Sequence, residues 1–264
     1  MAEQVFVSES EEGDVISCSC PGKVLLAGGY LVLERPYQAL TIATTARFVT
    51  SIRDRRGKST AADLIRPYAL VLEVDSPQFR EQYVYVFDTL SGTLDSVGSD
   101  TNSFVHKCIH LTLLFLLEHT KAQFSHTAQQ LESAHATLSL CLQADNDFYS
   151  QTQLLRSTGQ PLRSSSLLNL PRFKPCPQDA HGKAMIAKTG LGSSACMVAS
   201  LVASLLTRFR LLNLVKDPAA AAGTSCDSEG LRLVHRLAQL VHALAQGKVG
   251  SGFDVSAAVY GKPP

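Results

Sequence analysis

Ala184-Met185-Ile186-Ala187-Lys188-Thr189-Gly190-Leu191-Gly192-Ser193-Ser194-Ala195 reads as a short buried strand, a glycine loop and the start of a helix continuing to about Leu212. Gly190 and Gly192 let the backbone approach a ligand closely. Ser193 and Ser194 fall where a helix presents its unpaired amides and the positive end of its dipole. Such a helix start attracts phosphate, and a hydroxyl there can ligate the Mg2+ that travels with nucleotide phosphates. Taken alone, the same spelling equally describes a serine-capped helix after a tight turn. Gly190-x-Gly192-x-x-Ala195 also satisfies the dinucleotide-binding fingerprint, with Asp217 roughly where a ribose-binding acid would be sought. The unit falls late in the chain, behind a sheet-rich first third, whereas a Rossmann fold opens with its fingerprint inside repeated βαβ units. That order sets the oxidoreductase reading second. Gly57-Lys58-Ser59-Thr60 looks like the end of a P-loop, but Ile52 stands where its first glycine belongs.

Upstream, Val15 to Cys20 alternates apolar and small residues, turns at Pro21-Gly22 and resumes from Lys23 to Ala27, which reads as strand, turn, strand. Further β-rich runs cover Ala43 to Ile52, Ala69 to Val74 and Tyr83 to Phe87. Helical spacing of apolar residues predicts a helix from about Phe104 to Glu118, and a strand follows from about Thr137 to Gln143. Ala144 to Tyr149 is polar and turn-like, and residues 151–183, rich in Ser, Pro and Gln, read as a long loop. Downstream, a second helix from about Glu229 to Ala245 places Leu231, Val234, Leu237, Ala238, Val241 and Ala245 on one face. A glycine-rich stretch, Gly247 to Gly252, separates it from another helical run that opens at Phe253-Asp254. Lys23, after a Pro-Gly turn inside an apolar strand, sends its ammonium either to the surface or into a cleft. Asp254 in its plainest reading is a helix cap or dipole partner. His235 and His242, on one helix without carboxylate or cysteine neighbours, read as structural.

The 264 residues, 45% of them hydrophobic, can bury a substantial core. Lys and Arg number 24 against 23 Asp and Glu, so no large net field recruits nucleic acid or an anionic membrane. Any anion must be held by a local site. The most apolar run, Leu111 to Leu117, falls well short of the roughly 20 residues that span a bilayer. Glu9, Glu11, Glu12 and Asp14 do not fit a secretory signal. Seven scattered cysteines without a Cys-x-x-Cys pair point to reduced thiols rather than a disulfide framework or a zinc site. The expected compartment is therefore the cytoplasm, with a peroxisome-type organelle left open. Gly-x-Ser-x-Gly does not occur, so a serine hydrolase has no foothold.

Three stretches resemble, in family order, the motifs of the GHMP kinase superfamily. Pro21-Gly22-Lys23 through Glu34 is similar to the first motif, Lys188 through Ala195 to the second, and Ala245 through Gly261 to the segment carrying the catalytic aspartate. The spellings Ala27-Gly28-Gly29-Tyr30 and Gly250-Ser251-Gly252-Phe253-Asp254 resemble the eukaryotic, fungal-type phosphomevalonate kinases more than mevalonate, galactose or homoserine kinases. The resemblance implies an α+β fold of the ribosomal-protein-S5 type, a mixed sheet with packed helices. It implies that residues 1–264 form the amino-terminal, ATP-binding domain and that the carboxy-terminal domain is absent. It further implies ATP and 5-phosphomevalonate as substrates with Mg2+, and neither nucleic acid, membrane nor an obligate protein partner. Carried over by position, Lys23 and Asp254 are catalytic, and Lys188, Thr189, Gly190, Leu191, Gly192, Ser193, Ser194 and Ala195 hold the ATP phosphates. Lys248, Gly250 and Ser251 fall on the substrate side, and Ser194 is the Mg2+ ligand. Two positions depart from the pattern. Cys20 stands where the family has alanine, and Ala243 stands where mevalonate kinase relatives carry a metal-binding glutamate eleven residues before the aspartate. Asp145, Asn146 and Asp147 also resemble a family stretch, without an assigned role. An inactive nucleotide-binding remnant, or an interaction protein, is the alternative of a different class.

Overall fold

Period-two burial along the long strands decides the architecture. The computed structural model describes residues 5–10, 13–34, 36–56, 61–98, 101–212 and 228–261; Gly57 to Thr60, Asp217 and Cys226 lie outside them. The strands are β1 (Val5–Ser10), β2 (Gly13–Ala27), β3 (Leu40–Arg56), β4 (Ala69–Ser76), β5 (Glu81–Asp88), β6 (Leu94–Val97) and β7 (Ala136–Ala144). They form one sheet in the order β1-β2-β3-β7-β4-β5-β6. Every neighbouring pair is antiparallel except β4 and β7, which run parallel. In β3 Ala46, Phe48, Thr50 and Ile52 are buried while the residues between them are half-buried, and Leu138, Leu140, Leu142 and Ala144 do the same in β7.

That buried face shares one core with the helices α1 (Ser103–His119), α2 (Lys121–Ser133), α5 (Ser193–Arg208), α6 (Ser228–Gln246) and α7 (Phe253–Tyr260). Two short helices, α3 (Thr152–Ser157) and α4 (Ser164–Leu168), interrupt the segment that reads as a loop in the sequence. A second, small cluster of Ala61, Ala69, Val71 and Val86 stands apart from this main core. The result is the expected α+β arrangement of a mixed sheet with packed helices. No helix among the described residues is long and apolar enough to cross a membrane.

Helix α5 lies at the centre, buried along its whole length except at Ser194 and Arg208. A helix apolar on every side must be enclosed on every side, and β2 and β3 enclose it from below while α1, α6 and α7 flank it. Its small residues allow close approach, and its hydroxyls find partners. Ser200 Oγ lies 2.8 Å from Thr50 Oγ1, and Ser204 Oγ donates to the Thr50 carbonyl at 3.0 Å. On α6 the residues Val234, Leu237, Ala238, Val241 and Ala245 are buried, as the periodicity predicts, and Leu231 packs at the margin.

Three expectations are corrected. Residues 184–189 are not a buried strand: they make only isolated bridges, Tyr149 with Lys188 and Gln178 with Ala184, and Ile186 is 46% exposed. Their backbone is paired instead with the turn after β7, through Ser150 N–H to the Ala187 carbonyl at 2.7 Å and Thr189 N–H to the Phe148 carbonyl at 3.1 Å. Strand, turn, strand over residues 15–27 is one continuous strand with an irregularity. Pro21 faces Arg47 but Lys23 faces Ala43, so β3 takes up extra residues where Pro21 has no N–H to offer. Helix α5 stops at Arg208 rather than Leu212, because Arg210 turns into the left-handed region at φ 57° and Leu211 N–H returns to the Leu206 carbonyl.

The buried hydroxyl pair is open to test. Ser200→Ala strands the Thr50 hydroxyl and should lower unfolding stability by about 1–3 kcal/mol, read from urea denaturation. Adding Thr50→Val removes the stranded group and should restore part of that loss; a double variant whose loss equals the sum of the two single losses would show that the pair carries no such coupling.

Candidate active site

Gly22 brings β2 against the glycine loop. A Cβ there would sit 2.7 Å from Thr44 Oγ1 and 3.1 Å from both the Leu191 carbonyl oxygen and Phe148 Cε1, so no other residue fits without displacement. The next residue uses that closeness twice. Lys23 N–H donates to the Leu191 carbonyl at 2.9 Å, and its ammonium donates to the Gly190 carbonyl at 2.6 Å. Of the two sequence-level options for Lys23, the structure selects the one pointing inward along the loop. The ammonium also lies 5.8 Å from the centre of the Phe253 ring, within cation–π range.

Gly192 caps α5 in the left-handed region, at φ 80° and ψ 34°, and no side chain caps the helix. The first-turn amides therefore keep the partial positive charge that a capping oxygen would otherwise neutralise. A Cβ on Gly192 would lie 3.3 Å from Lys23 Cε and 3.9 Å from Asp254 Cβ, which fixes how closely the three residues meet. Helix α7 begins in the same way, with Gly252 left-handed at φ 72° and no side-chain cap, and Asp254 in its first turn. Asp254 Oδ1 accepts from Val255 N–H at 2.9 Å. Two uncapped helix starts and one ammonium thus converge, with a single carboxylate among them.

Behind this centre the thiols are inert. Cys196 donates to the Pro21 carbonyl, and burial, reinforced by the nearby Asp254 charge, pushes its pKa up to about 12. Burial raises Cys20 as well. Beside the centre, Ser194 Oγ lies 3.4 Å from His242 Nε2 and 3.5 Å from Gln246 Nε2. Burial lowers the His242 pKa and Lys248 lowers it further, against the opposite pull of Asp254, so the ring is neutral at physiological pH. Treated as structural from the sequence, His242 is in fact a neighbour of the loop; its i, i+4 spacing with Gln246 was the available signal. His235 stays structural, its Nε2 lying 2.9 Å from Ser256 Oγ.

The segment from Asp145 to Ser150 acquires a role that the sequence did not assign. Asp145 accepts from Arg47 N–H at 2.8 Å and pairs with Arg172 at 2.6 Å, and Asn146 accepts from Lys174 N–H. Thr189 Oγ1 donates to the Asp147 carbonyl. These residues pin the approach to the glycine loop rather than face a ligand. Next to Ser194 opens a cleft of about 360 Å3 lined by Phe79, Tyr83, Phe104, Ile186 and Lys188 among others. Lys188 and Thr189 are exposed at the mouth of the loop, Leu191 is half-buried, and Ser193 and Ala195 are buried. Lys248, Gly250 and Ser251 lie exposed between α6 and α7, with Lys248 near enough to act on His242. A larger polar hollow of about 660 Å3 lies at the other end of α5, by Arg208, and shares none of these residues.

The dinucleotide reading loses its structural footing here: no sheet strand leads into the loop, and the sheet is mostly antiparallel. Among the described residues no group of three or more His, Cys, Asp or Glu could hold a metal ion. Apolar side chains of Val24, Leu26, Leu31, Leu33, Leu40 and Ile42 stand exposed just beyond Lys23.

No family model matches the chain. It is 37% identical to the peroxisomal phosphomevalonate kinase of Arabidopsis thaliana over 258 residues, which cover 93% of the chain and 49% of that protein. It is 36% identical to phosphomevalonate kinase ERG8 of Gibberella zeae over 255 residues, 93% of the chain and 50% of that protein. Over almost its whole length the chain is similar to one half of these phosphomevalonate kinases. It spans about half the length of these relatives. Among solved structures, the Lin0012 protein from Listeria innocua matches with a TM-score of 0.52 over 93% of the chain and 46% of its own, at 17% identity, a likeness of fold alone.

In this chain, Gly192→Val places a branched side chain on a left-handed backbone and against Lys23. Nucleotide binding, measured by calorimetry, should be lost while the circular dichroism spectrum stays close to wild type. Unchanged ATP affinity would remove the loop from consideration as a phosphate site.

Proposed function

We propose that this chain is the ATP-binding part of an enzyme that transfers the γ-phosphoryl group of ATP to the phosphate of 5-phosphomevalonate, giving 5-diphosphomevalonate for isoprenoid and sterol synthesis. The observation that carries the proposal is the contact of the Lys23 ammonium with the Gly190 carbonyl, at an uncapped helix start that Asp254 also adjoins. The names of the relatives supply the acceptor, and the three motifs lie in the same chain.

The chemistry follows from the acceptor. A phosphate monoester has a second pKa of about 6 and is already ionised at neutral pH, so it needs little help from a general base. Two anions must instead be brought together. At about 4 Å and an effective dielectric of about 20, each like-charge pair costs roughly 4 kcal/mol. Oriented amides and cations therefore dominate. The amides of residues 190–195 hold the ATP phosphates, and the Lys23 ammonium swings from the Gly190 carbonyl to the oxygens between donor and acceptor. Asp254, adjoining Lys23, orients it more than it removes a proton. The cleft beside Ser194, with Phe79, Tyr83 and Phe104 on its walls, accommodates the nucleoside. Lys248, Gly250 and Ser251 face the acceptor. Mg2+ bound with ATP supplies charge neutralisation; it takes one or two protein oxygens beside phosphates and water, and Ser194 Oγ, with Asp254 in reserve, fits that demand.

The exposed apolar face beyond Lys23 is the seat of a second domain, corresponding to the remaining half of the relatives' length, and that domain completes the acceptor pocket. The free cysteines Cys18, Cys20, Cys108, Cys141, Cys176 and Cys196 support a reducing compartment, cytoplasmic or peroxisomal.

An ADP-release assay with ATP, Mg2+ and 5-phosphomevalonate, run beside mevalonate, tests the proposal. The 264-residue chain should bind ATP weakly and turn over neither acceptor. Joined to the second domain it should turn over 5-phosphomevalonate alone, and Lys23→Met should then lower kcat about 10²–10³-fold, more than Asp254→Asn does. If Asp254→Asn proves the more damaging, proton abstraction outweighs charge neutralisation. Turnover by a monodisperse 264-residue monomer would show that no second domain is needed.

A further inference from the structure

The residues that join α6 to α7, 247–251, are exposed, and a Cβ on Gly247 or Gly250 would meet nothing within 4 Å. That loop does not fix where α7 begins. Gln239 does, from the middle of α6, where Leu237, Ala238 and Val241 are buried in the core and hold the helix in place. Its amide Nε2 donates to the Gly252 carbonyl at 2.7 Å, and the same carbonyl accepts the first helical bond of α7, from Ser256 N–H at 3.0 Å. Two donors thus fill the two lone pairs of one oxygen. A Cβ on Gly252 would lie 2.5 Å from Gln239 Oε1 and 2.7 Å from its Cδ, so the amide occupies the space that a side chain would take. Gly252 is therefore required twice, by its left-handed backbone and by the group pressed against it.

We infer that Gln239 is a positioning residue for Asp254: by holding the Gly252 carbonyl it fixes the first turn of α7, and with it the carboxylate beside Lys23. The inference rests on the proposed part of Asp254 in orienting Lys23. Asp254 follows Gly252 by two residues, within that first turn, and its Cβ lies 3.9 Å from where a Cβ on Gly192 would stand. Its own bond, from Val255 N–H to Oδ1, is internal to the turn and travels with it. Among the described residues no other side chain outside α7 hydrogen-bonds the backbone of residues 252–255. A displacement at Gly252 therefore passes directly to Asp254, and a misplacement of about 1 Å can cost about 10²-fold in rate.

Gln239→Met keeps the bulk against Gly252 and removes the donor. In the enzyme joined to its second domain, it should lower kcat for 5-phosphomevalonate about tenfold while the KM for ATP stays within about twofold of wild type. In an Asp254→Ala background the same substitution should cost less than about twofold, because the group through which it acts is already gone. Should Gln239→Met fail to fold, Gln239→Glu, of the same shape but without the N–H donor, takes its place with the same expected result. An unchanged kcat, or losses that multiply fully in the double variant, would show that Gln239 does not act through Asp254 and overturns the inference while leaving the functional reading standing. A wild-type two-domain enzyme that does not turn over 5-phosphomevalonate overturns that reading as well.

Discussion

Everything at this site depends on two hydrogen bonds that leave one residue, from the amide and the ammonium of Lys23 to consecutive carbonyls of the glycine loop. They exist because Gly22 lacks a side chain and because β3 takes up extra residues opposite Pro21, so β2 leans onto the loop. The other side of the loop is held by the turn after β7, through Phe148 and the Asp147 carbonyl. A loop gripped from both sides by backbone groups presents its amides in a fixed direction before any ligand arrives. Preorganisation of that kind stabilises charge without reorganisation at the moment of reaction.

The electrostatics are local, as a chain with 24 basic and 23 acidic residues requires. Two helix starts without caps, α5 and α7, point their partial charges at the place where Lys23 sits. A capping serine or aspartate in place of Gly192 or Gly252 would gain only a few tenths of a kcal/mol, and the left-handed backbone at both positions disfavours any side chain. The thiols packed underneath remain protonated and add no charge of their own.

Much of this was legible in the sequence, for reasons that differ by element. Helices α6 and α7 announce themselves through periodicity and flanking glycines, and α5 through its uninterrupted small and apolar residues. Lys23 and Asp254 were singled out by resemblance, and the structure brings both to Gly192. Residues 184–189 misled because a short apolar run has the same spelling whether its backbone joins a sheet or pairs with a turn; only the distant Phe148 and Ser150 decide. Helix α2 escaped notice, since Lys121–Ser133 is largely polar and buries only Phe124, Thr127, Ala128 and Leu131. The contacts of His242 with Ser194, and of Thr50 with Ser200, cross 48 and 150 residues, and no local pattern encodes such a meeting.

The same separation has a consequence for how the molecule is made. The sheet residues that enclose α5, such as Phe48, Thr50 and Ile52, leave the ribosome well before their partner does, Thr50 and Ser200 being 150 positions apart. At about 5–20 residues per second, the nascent sheet waits on the order of ten seconds with its inner apolar face open. Helix α1 and helix α2 pack on the β4, β5, β6 and β7 side of the sheet. The strands that later carry the lysine therefore emerge before the helix that covers them, and the phosphate loop is made after both of its grips, Lys23 and the turn after β7.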